Sequence, residues 1–216
     1  MVATKHIQDD RTEPASGGGV LDALRQHTRA LHHALDSQLP LSRPQASWAD
    51  YLEHVGHVAA WLARWKALEE ASAPDPLAPA RAQRYGRLLA LSQADLSDAS
   101  TAAENTSGRA AEHVVAPQFS IVAEEDAAHP AFRWGVAYVV EGSQLGGAVL
   151  HRRLAAQLAP HALHYLAGDG EPTGPRFRAF VDALEQAVRT PADVSHACRG
   201  AVLAFTELMQ SSGLPL

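Results

Sequence analysis

Apolar residues along this chain recur mostly at the three- and four-residue spacing of an α-helix. Over 20–38, Leu21, Leu24, Thr28, Leu31 and Leu35 fall on one stripe. Over 47–71, Trp48, Tyr51, Val55, Val58, Leu62 and Trp65 form a second. Pro74, Pro76 and Pro79 then interrupt the chain. A shorter helix is expected over 80–91, a polar loop over 95–107 and a helical fragment over 110–116, closed by Pro117. A long helix is expected over 130–158, because Pro130 suits a first helical turn. Two more are expected over 175–188 and 192–209, on either side of Thr190-Pro191. No Asn-Gly or Asp-Gly turn joins two alternating runs, so hairpins are not expected. The pattern predicts a single all-α domain of six to eight helices over 20–216. A disordered tail, 1–19, precedes it and ends in Gly17-Gly18-Gly19.

Composition narrows the classes of function. The 216 residues carry 18 Lys+Arg against 24 Asp+Glu, a net charge of −6. An acidic surface argues against nucleic acid, whose binding needs basic patches that displace counterions. One cysteine, Cys198, excludes a disulfide framework and a cysteine-based metal site. The longest apolar stretch, near 136–140, is broken by Glu141, Ser143 and Gln144, far short of a membrane span. With no secretion signal in the first residues, a soluble, cytoplasmic protein is expected.

Twelve histidines remain to be explained. At 100° per residue, His32 lies about 60° from the centre of the first apolar stripe, at the margin of the buried face. His33 lies about 160° away and points to water, and His27 sits at the opposite margin. Arg25 precedes His32 by two helical turns and shares its line. A histidine so placed suits either a metal ligand at a pocket edge or a half-buried ring satisfied locally. His54 and His57 are spaced for a shared metal, but His57 is expected on the solvent side. No Glu precedes any His by three, as a di-iron bundle would require. His161 and His164 are expected near a helix end. His113, His129, His151 and His196 show no partner in the sequence.

The segment Ala137-Tyr-Val-Val-Glu-Gly-Ser-Gln-Leu-Gly-Gly-Ala-Val-Leu150 places Gly142, Gly146 and Gly147 inside an expected long helix. Each glycine costs about 1 kcal/mol relative to alanine there. Gly135, Gly142 and Gly146 share one face, a surface without side chains. Such a face suits either a flat ligand or close packing of another helix, and spacing does not separate the two. The glycine spacing matches neither a phosphate loop nor a dinucleotide fingerprint.

Taken together, the two segments resemble the haem oxygenases. Thr28-Arg-Ala-Leu-His32, followed by Leu35-Asp36, is similar to the T-x-x-x-H-x-x-L segment of that family. Tyr138-Val-Val-Glu-Gly-Ser-Gln-Leu-Gly-Gly147 is similar to its glycine-rich distal helix, most of all in the Glu-Gly-Ser-x-Leu-Gly-Gly form of bacterial members associated with bacteriophytochromes. The likeness runs over roughly 20–210. It implies that His32 is the proximal ligand of the haem iron and that Gly142, Gly146 and Gly147 let the distal helix approach the porphyrin. It also implies that Arg25 and Arg178 pair with haem propionates and that Phe205 lines the pocket. The implied activity is O2-dependent opening of haem to biliverdin with release of CO and ferrous iron. Haem would be both substrate and cofactor, and electrons would come from an external reductase or ferredoxin. The product would serve a bilin-accepting photoreceptor or free iron for recovery.

Two positions depart from the family pattern. Many members carry an aspartate on the distal helix where this chain has Ser143, which hydrogen-bonds without bearing a charge. With Gly142 beside it, Ser143 is expected at the distal catalytic position. Asp182 stands where a basic propionate contact is expected, which leaves fewer anchors. The same residues are compatible with a non-catalytic haem- or biliverdin-binding protein on the same fold. A relative acting on a thiamin-type ring would require a pocket cysteine or paired carboxylates, and Cys198 has no such pairing.

Overall fold

The computed structural model describes residues 19–71, 75–104 and 119–214. Among them are eight α-helices, one 3-10 turn at Pro40–Ser42 and no strand. The helices are α1 (Val20–Gln38), α2 (Trp48–Ala71), α3 (Ala78–Glu104), α4 (Glu124–Ala128), α5 (Pro130–Leu154), α6 (His164–Ala167), α7 (Thr173–Ala187) and α8 (Pro191–Ser211). The all-α expectation is met. Of the tail expected over 1–19, only Gly19 falls within the described residues, and its carbonyl accepts the Asp22 and Ala23 amides at the start of α1. The fragment expected over 110–116, with His113, lies outside the described residues.

Local chemistry sets the helix starts. Ser47 and Asp50 exchange side-chain and amide hydrogen bonds at the head of α2. Thr190 and Asp193 do the same at α8, with Pro191 in the first turn. At α5, the His129 ring accepts the Ala131 amide and Pro130 follows it. The stop of α1 is Pro40, which cannot continue a helix.

The expected loop over 95–107 is a correction. The third helix runs on to Glu104, because its polar residues are satisfied along the helix itself. Ser92, Ser100 and Thr101 donate to carbonyls one turn back. Asp95 is buried at 1% exposure and accepts the Tyr51 hydroxyl at 2.6 Å, which ties α3 to α2. The short α4 and α6 were not visible in the periodicity, and α5 ends at Leu154 rather than near 158.

Two pairs, α2 with α3 and α5 with α8, form the body of the molecule. The core between them is built on Leu24, Tyr51, Trp61, Trp65, Phe132 and Leu208. Trp61 donates its indole N–H to the Ala204 carbonyl at 3.0 Å, and Arg64 grips Glu207 through two bonds of 2.8 and 2.9 Å. Both contacts pin α8 to α2. The first helix rests mainly on α8, and its packing against α5 is slight. Both α1 and α5 thus pack on α8.

Candidate functional site

His32 projects from the edge of α1 with its side chain 60% exposed. Its Nδ1 lies 2.9 Å from Oδ2 of Asp36, one turn on. A carboxylate only accepts, so Nδ1 carries a proton, and Nε2 is the ring nitrogen that Asp36 does not engage. A neutral imidazole oriented by a carboxylate is the usual state of a metal-ligating histidine. Asp36 was not singled out in the sequence, although its i,i+4 spacing from His32 was a readable signal. The other side of the His32 ring meets Phe205 of α8, with centroids 5.9 Å apart and planes tilted by 56°. Phe205 is itself buried, so it forms a fixed wall. The sequence expectation put His32 at the margin of the buried face; the structure sets it further out, exposed to solvent.

The glycines of α5 separate into two groups. A Cβ on Gly135 would run into the Ala197 carbonyl, and one on Gly200 into the Phe132 carbonyl, so α5 and α8 touch backbone to backbone there. A Cβ on Gly142 or Gly146 would meet nothing within 4 Å. These two present bare backbone to open space. Gly147 faces α6, where a Cβ would lie 3.6 Å from Leu166 Cδ2. Of the three glycines expected against a flat ligand, only Gly142 and Gly146 therefore stand open.

The remaining predicted residues lie on α1, α5 and α7. Arg25 is exposed, 3.8 Å from Asp22. Its charge reaches Tyr138 of α5, whose phenol is raised by burial against the opposing effects of a Thr28 hydrogen bond and Arg25. Thr28 and Tyr138 thus join α1 to α5. Arg178 is exposed on α7, and Asp182 on the same helix is also exposed. Ser143 turns toward α6, donating to the Val140 carbonyl at 2.7 Å with the Tyr165 hydroxyl 3.4 Å away.

Glu141 points elsewhere. It is buried between Arg84 at 3.1 Å and Arg176 at 2.9 Å, and both arginines also reach Asp169. This ionic cluster braces α5 against α3 and α7. Arg176, two residues before the expected Arg178, is the arginine of α7 drawn inward.

The other histidines divide unevenly. His27 lies about 140° around α1 from His32 and bonds its own helix, Nδ1 to the Ala23 carbonyl at 2.8 Å. His33 is exposed, as expected. His161 stacks on Trp48 at 3.7 Å. His129 and His196, which showed no partner in the sequence, stack on each other at 3.7 Å, and His196 reaches Asp126 at 2.9 Å. Their pairing depends on α4 and α8 meeting the start of α5, which spacing along one chain segment does not encode. His57 is partly buried rather than solvent-facing, and burial lowers its pKa. Among the described residues, no group of three metal-ligating side chains converges. Two grooves of about 630 and 800 Å³ lie on other faces and are not lined by His32, Gly142 or Gly146.

Comparison with known proteins agrees with the all-α fold. The family model described as heme oxygenase matches residues 19–212. Over 82 residues the chain is 43% identical to a heme oxygenase of Xanthomonas campestris pv. campestris (strain 8004), a match covering 37% of this chain and 48% of that protein. The chain thus spans about half the length of that curated relative. A solved structure of the NO- and CO-bound heme oxygenase from Neisseria meningitidis shares the fold at a TM-score of 0.60 and 21% identity, over 92% of this chain and 94% of that one. No described helix is long and apolar enough to cross a membrane. With the family model matching residues 19–212, the protein belongs to the haem oxygenase family.

Proposed function

We propose that this protein is a haem oxygenase that opens haem to biliverdin in the cleft between α1 and α5. The observation that carries the reading is the pairing of His32, whose Nε2 Asp36 does not engage, with bare backbone at Gly142 and Gly146. The donor set fits one axial nitrogen to iron, and a flat ring fits a helix face without side chains. When bound, haem supplies the iron that activates O2 and is itself the ring that is opened, with CO and ferrous iron released and electrons drawn from an external reductase or ferredoxin.

The work of the chain is positional. His32 would hold the iron, while Asp36 keeps its imidazole in the ligating tautomer. Phe205 blocks rotation of the ring on the α8 side. Arg25 and Arg178 are exposed cations at the rim, free to pair with propionates. Gly142 and Gly146 let the α5 backbone lie against the ring plane, and Gly147 lets α6 back that stretch. Ser143 supplies a neutral hydroxyl beside the glycines where many relatives place a carboxylate. The Glu141-Gly-Ser-x-Leu-Gly-Gly147 form supports a place beside the bacteriophytochrome-associated members, with biliverdin passed to a photoreceptor; iron recovery is the alternative use. A cytoplasmic setting agrees with this reading.

A second reading, a haem- or biliverdin-binding protein without turnover, is favoured by Ser143 alone. One experiment separates them. Hemin is titrated into the purified protein, and a reductant is then supplied in air. A Soret shift that His32→Ala abolishes or strongly alters, followed by loss of the Soret band and appearance of a bilin spectrum, is expected. Intact haem after many reducing equivalents would leave only the binding reading. A Soret band indifferent to His32→Ala would end the proximal assignment.

A further inference from the structure

The two halves of α7 are held in different ways. Of its 15 residues only Leu184 is buried, in the last turn, and Val188 just beyond the helix is buried as well. The C-terminal half is thus seated in the core. The N-terminal half rests on two rings and an ionic clasp. Phe180 meets Trp134 with centroids 5.6 Å apart, and Phe177 meets Tyr138 at 6.4 Å. Both phenylalanines stay half-exposed. Trp134, Tyr138, Gly142 and Gly146 follow one another at four-residue steps along one line of α5. The seventh helix runs antiparallel to that line, and its Arg176 reaches Glu141, one residue short of Gly142. The face that is bare at Gly142 and Gly146 therefore continues under α7 as two aromatic rings.

The clasp is a closed ring of four charges. Arg84 and Arg176 each donate from Nε to Glu141, and each places Nη1 against Asp169. Arg87 adds a third cation from outside, 3.4 Å from Asp169. Asp169 stands between Gly168 and Gly170, whose φ values of 77° and 85° are left-handed. That turn leads into α7, and a Cβ on either glycine would meet open space. The ring is incompletely satisfied. Nη2 of Arg84 and of Arg176 are buried without a hydrogen-bond partner, and Arg176 Nη1 remains 3.5 Å from Asp169 Oδ1. Buried charges paired this loosely return little net stability, because their desolvation is only partly offset. A segment with little buried apolar surface, entered through a glycine turn and fixed by such a ring, belongs to the part of a fold that opens first.

We propose that residues 173–180 form a hinged cover, pivoting at the Gly168-Asp169-Gly170 turn and latched by Arg176, which opens to uncover Tyr138 and Trp134. Closed, the face of α5 available to a flat ring begins at Gly142. Open, it is longer by about two helical turns and reaches Trp134. Leu184 and Val188 keep the far half of α7 in place, so the movement is confined to the half that carries the latch. The use of the cover in admitting haem rests on the haem-binding reading above; the hinge itself rests on the packing of α7 alone.

The test is amide hydrogen exchange, read by mass spectrometry on the full chain with and without hemin. Arg176→Gln is expected to speed exchange of the amides of 177–181 by about 10- to 100-fold, the scale of a lost hydrogen bond between charged groups, and to leave 184–187 unchanged. Asp169→Asn, which removes the other side of the latch, should act in the same direction and serves where Arg176→Gln does not fold. Hemin uptake, followed at the Soret band, should be faster in either variant, since more of the protein is open at any moment. In wild type, hemin should slow exchange at 177–181 more than at 184–187. Equal acceleration of both halves, or none, would overturn the hinge. Local acceleration with hemin uptake no faster than in wild type would overturn the cover while the haem-binding reading stands. A wild-type chain that takes up no hemin would overturn that reading, and the exchange contrast would still decide the hinge.

Discussion

Gly135 and Gly142 lie two turns apart on nearly one line of α5, yet their surroundings are opposite. Gly135 is closed by the backbone of α8, where a matching Gly200 meets Phe132. Gly142 and Gly146, further along the same face, touch nothing. The same residue thus serves packing at one end of the helix and an open face at the other. Where α8 stays against α5, a missing Cβ lets two helices approach. Further along, the missing Cβ leaves backbone open to space. One stripe of small residues can hold a fold together and open a site in it.

The sharpest way to break this contrast is to fill the closed end. Gly135→Ala must displace the Ala197 carbonyl, and a loss of about 2–4 kcal/mol of unfolding free energy is expected by denaturant titration. A Gly135→Ala protein with unchanged stability would show that α5 and α8 are not in backbone contact.

Acidification tests the fixed framework from another direction. His54 on α2 has a buried, unpartnered Nδ1, and burial together with His57 brings its pKa down to about 4 from 6.5. Between those values the unfolded chain binds a proton that the folded chain refuses, so stability rises with pH through this window and is lost as pH falls through it. The full effect at the acid end is roughly 3 kcal/mol. His54→Leu should flatten that limb of the stability curve. At the closed end of α5 the sign is the same. Burial and the stacked His196 lower the pKa of His129, and protonation would take from Nδ1 the lone pair that caps the Ala131 amide. As pH falls, protection from hydrogen exchange at the first turn of α5 should be lost before that around Gly146.

On the proximal side, Asp36→Ala frees the His32 ring and its tautomer. Hemin affinity should fall by about 10- to 100-fold, as for other supports of metal ligands. Equal affinity by Soret titration would mean that Asp36 is only a surface carboxylate. The smallest effect is expected at the open end. Gly142→Ala should raise stability by up to about 1 kcal/mol, because a helical glycine is replaced without a clash. The same change should weaken hemin binding, a reversal of the Gly135 result. A variant that gains stability and keeps its hemin affinity would show that the ring does not lie on this face.

Much of this molecule was legible along the chain. Apolar spacing located α1, α2, α5, α7 and α8, and His32 could be set apart from its neighbour His33 by its angle on the first helix. What was missed shares one cause. Asp95 looked like part of a polar loop, because nothing nearby in the sequence reveals that Tyr51 and the α6 amides will satisfy a buried carboxylate. The stack of His129 on His196 and the clasp of Glu141 by Arg84 and Arg176 also join residues far apart in the chain. Asp36 was the exception, since its spacing from His32 was there to be read.

The sequence by itself determined the all-α class, the helix carrying His32 and the helix in which glycine replaces side chains, because helical periodicity and propensity are local properties. Tertiary structure decided which glycines close a contact and which stay open, where Tyr165 stands relative to Ser143, and that α1 and α5 both pack on α8. Those outcomes depend on where separate helices converge and part, and on which buried polar groups find partners when they do.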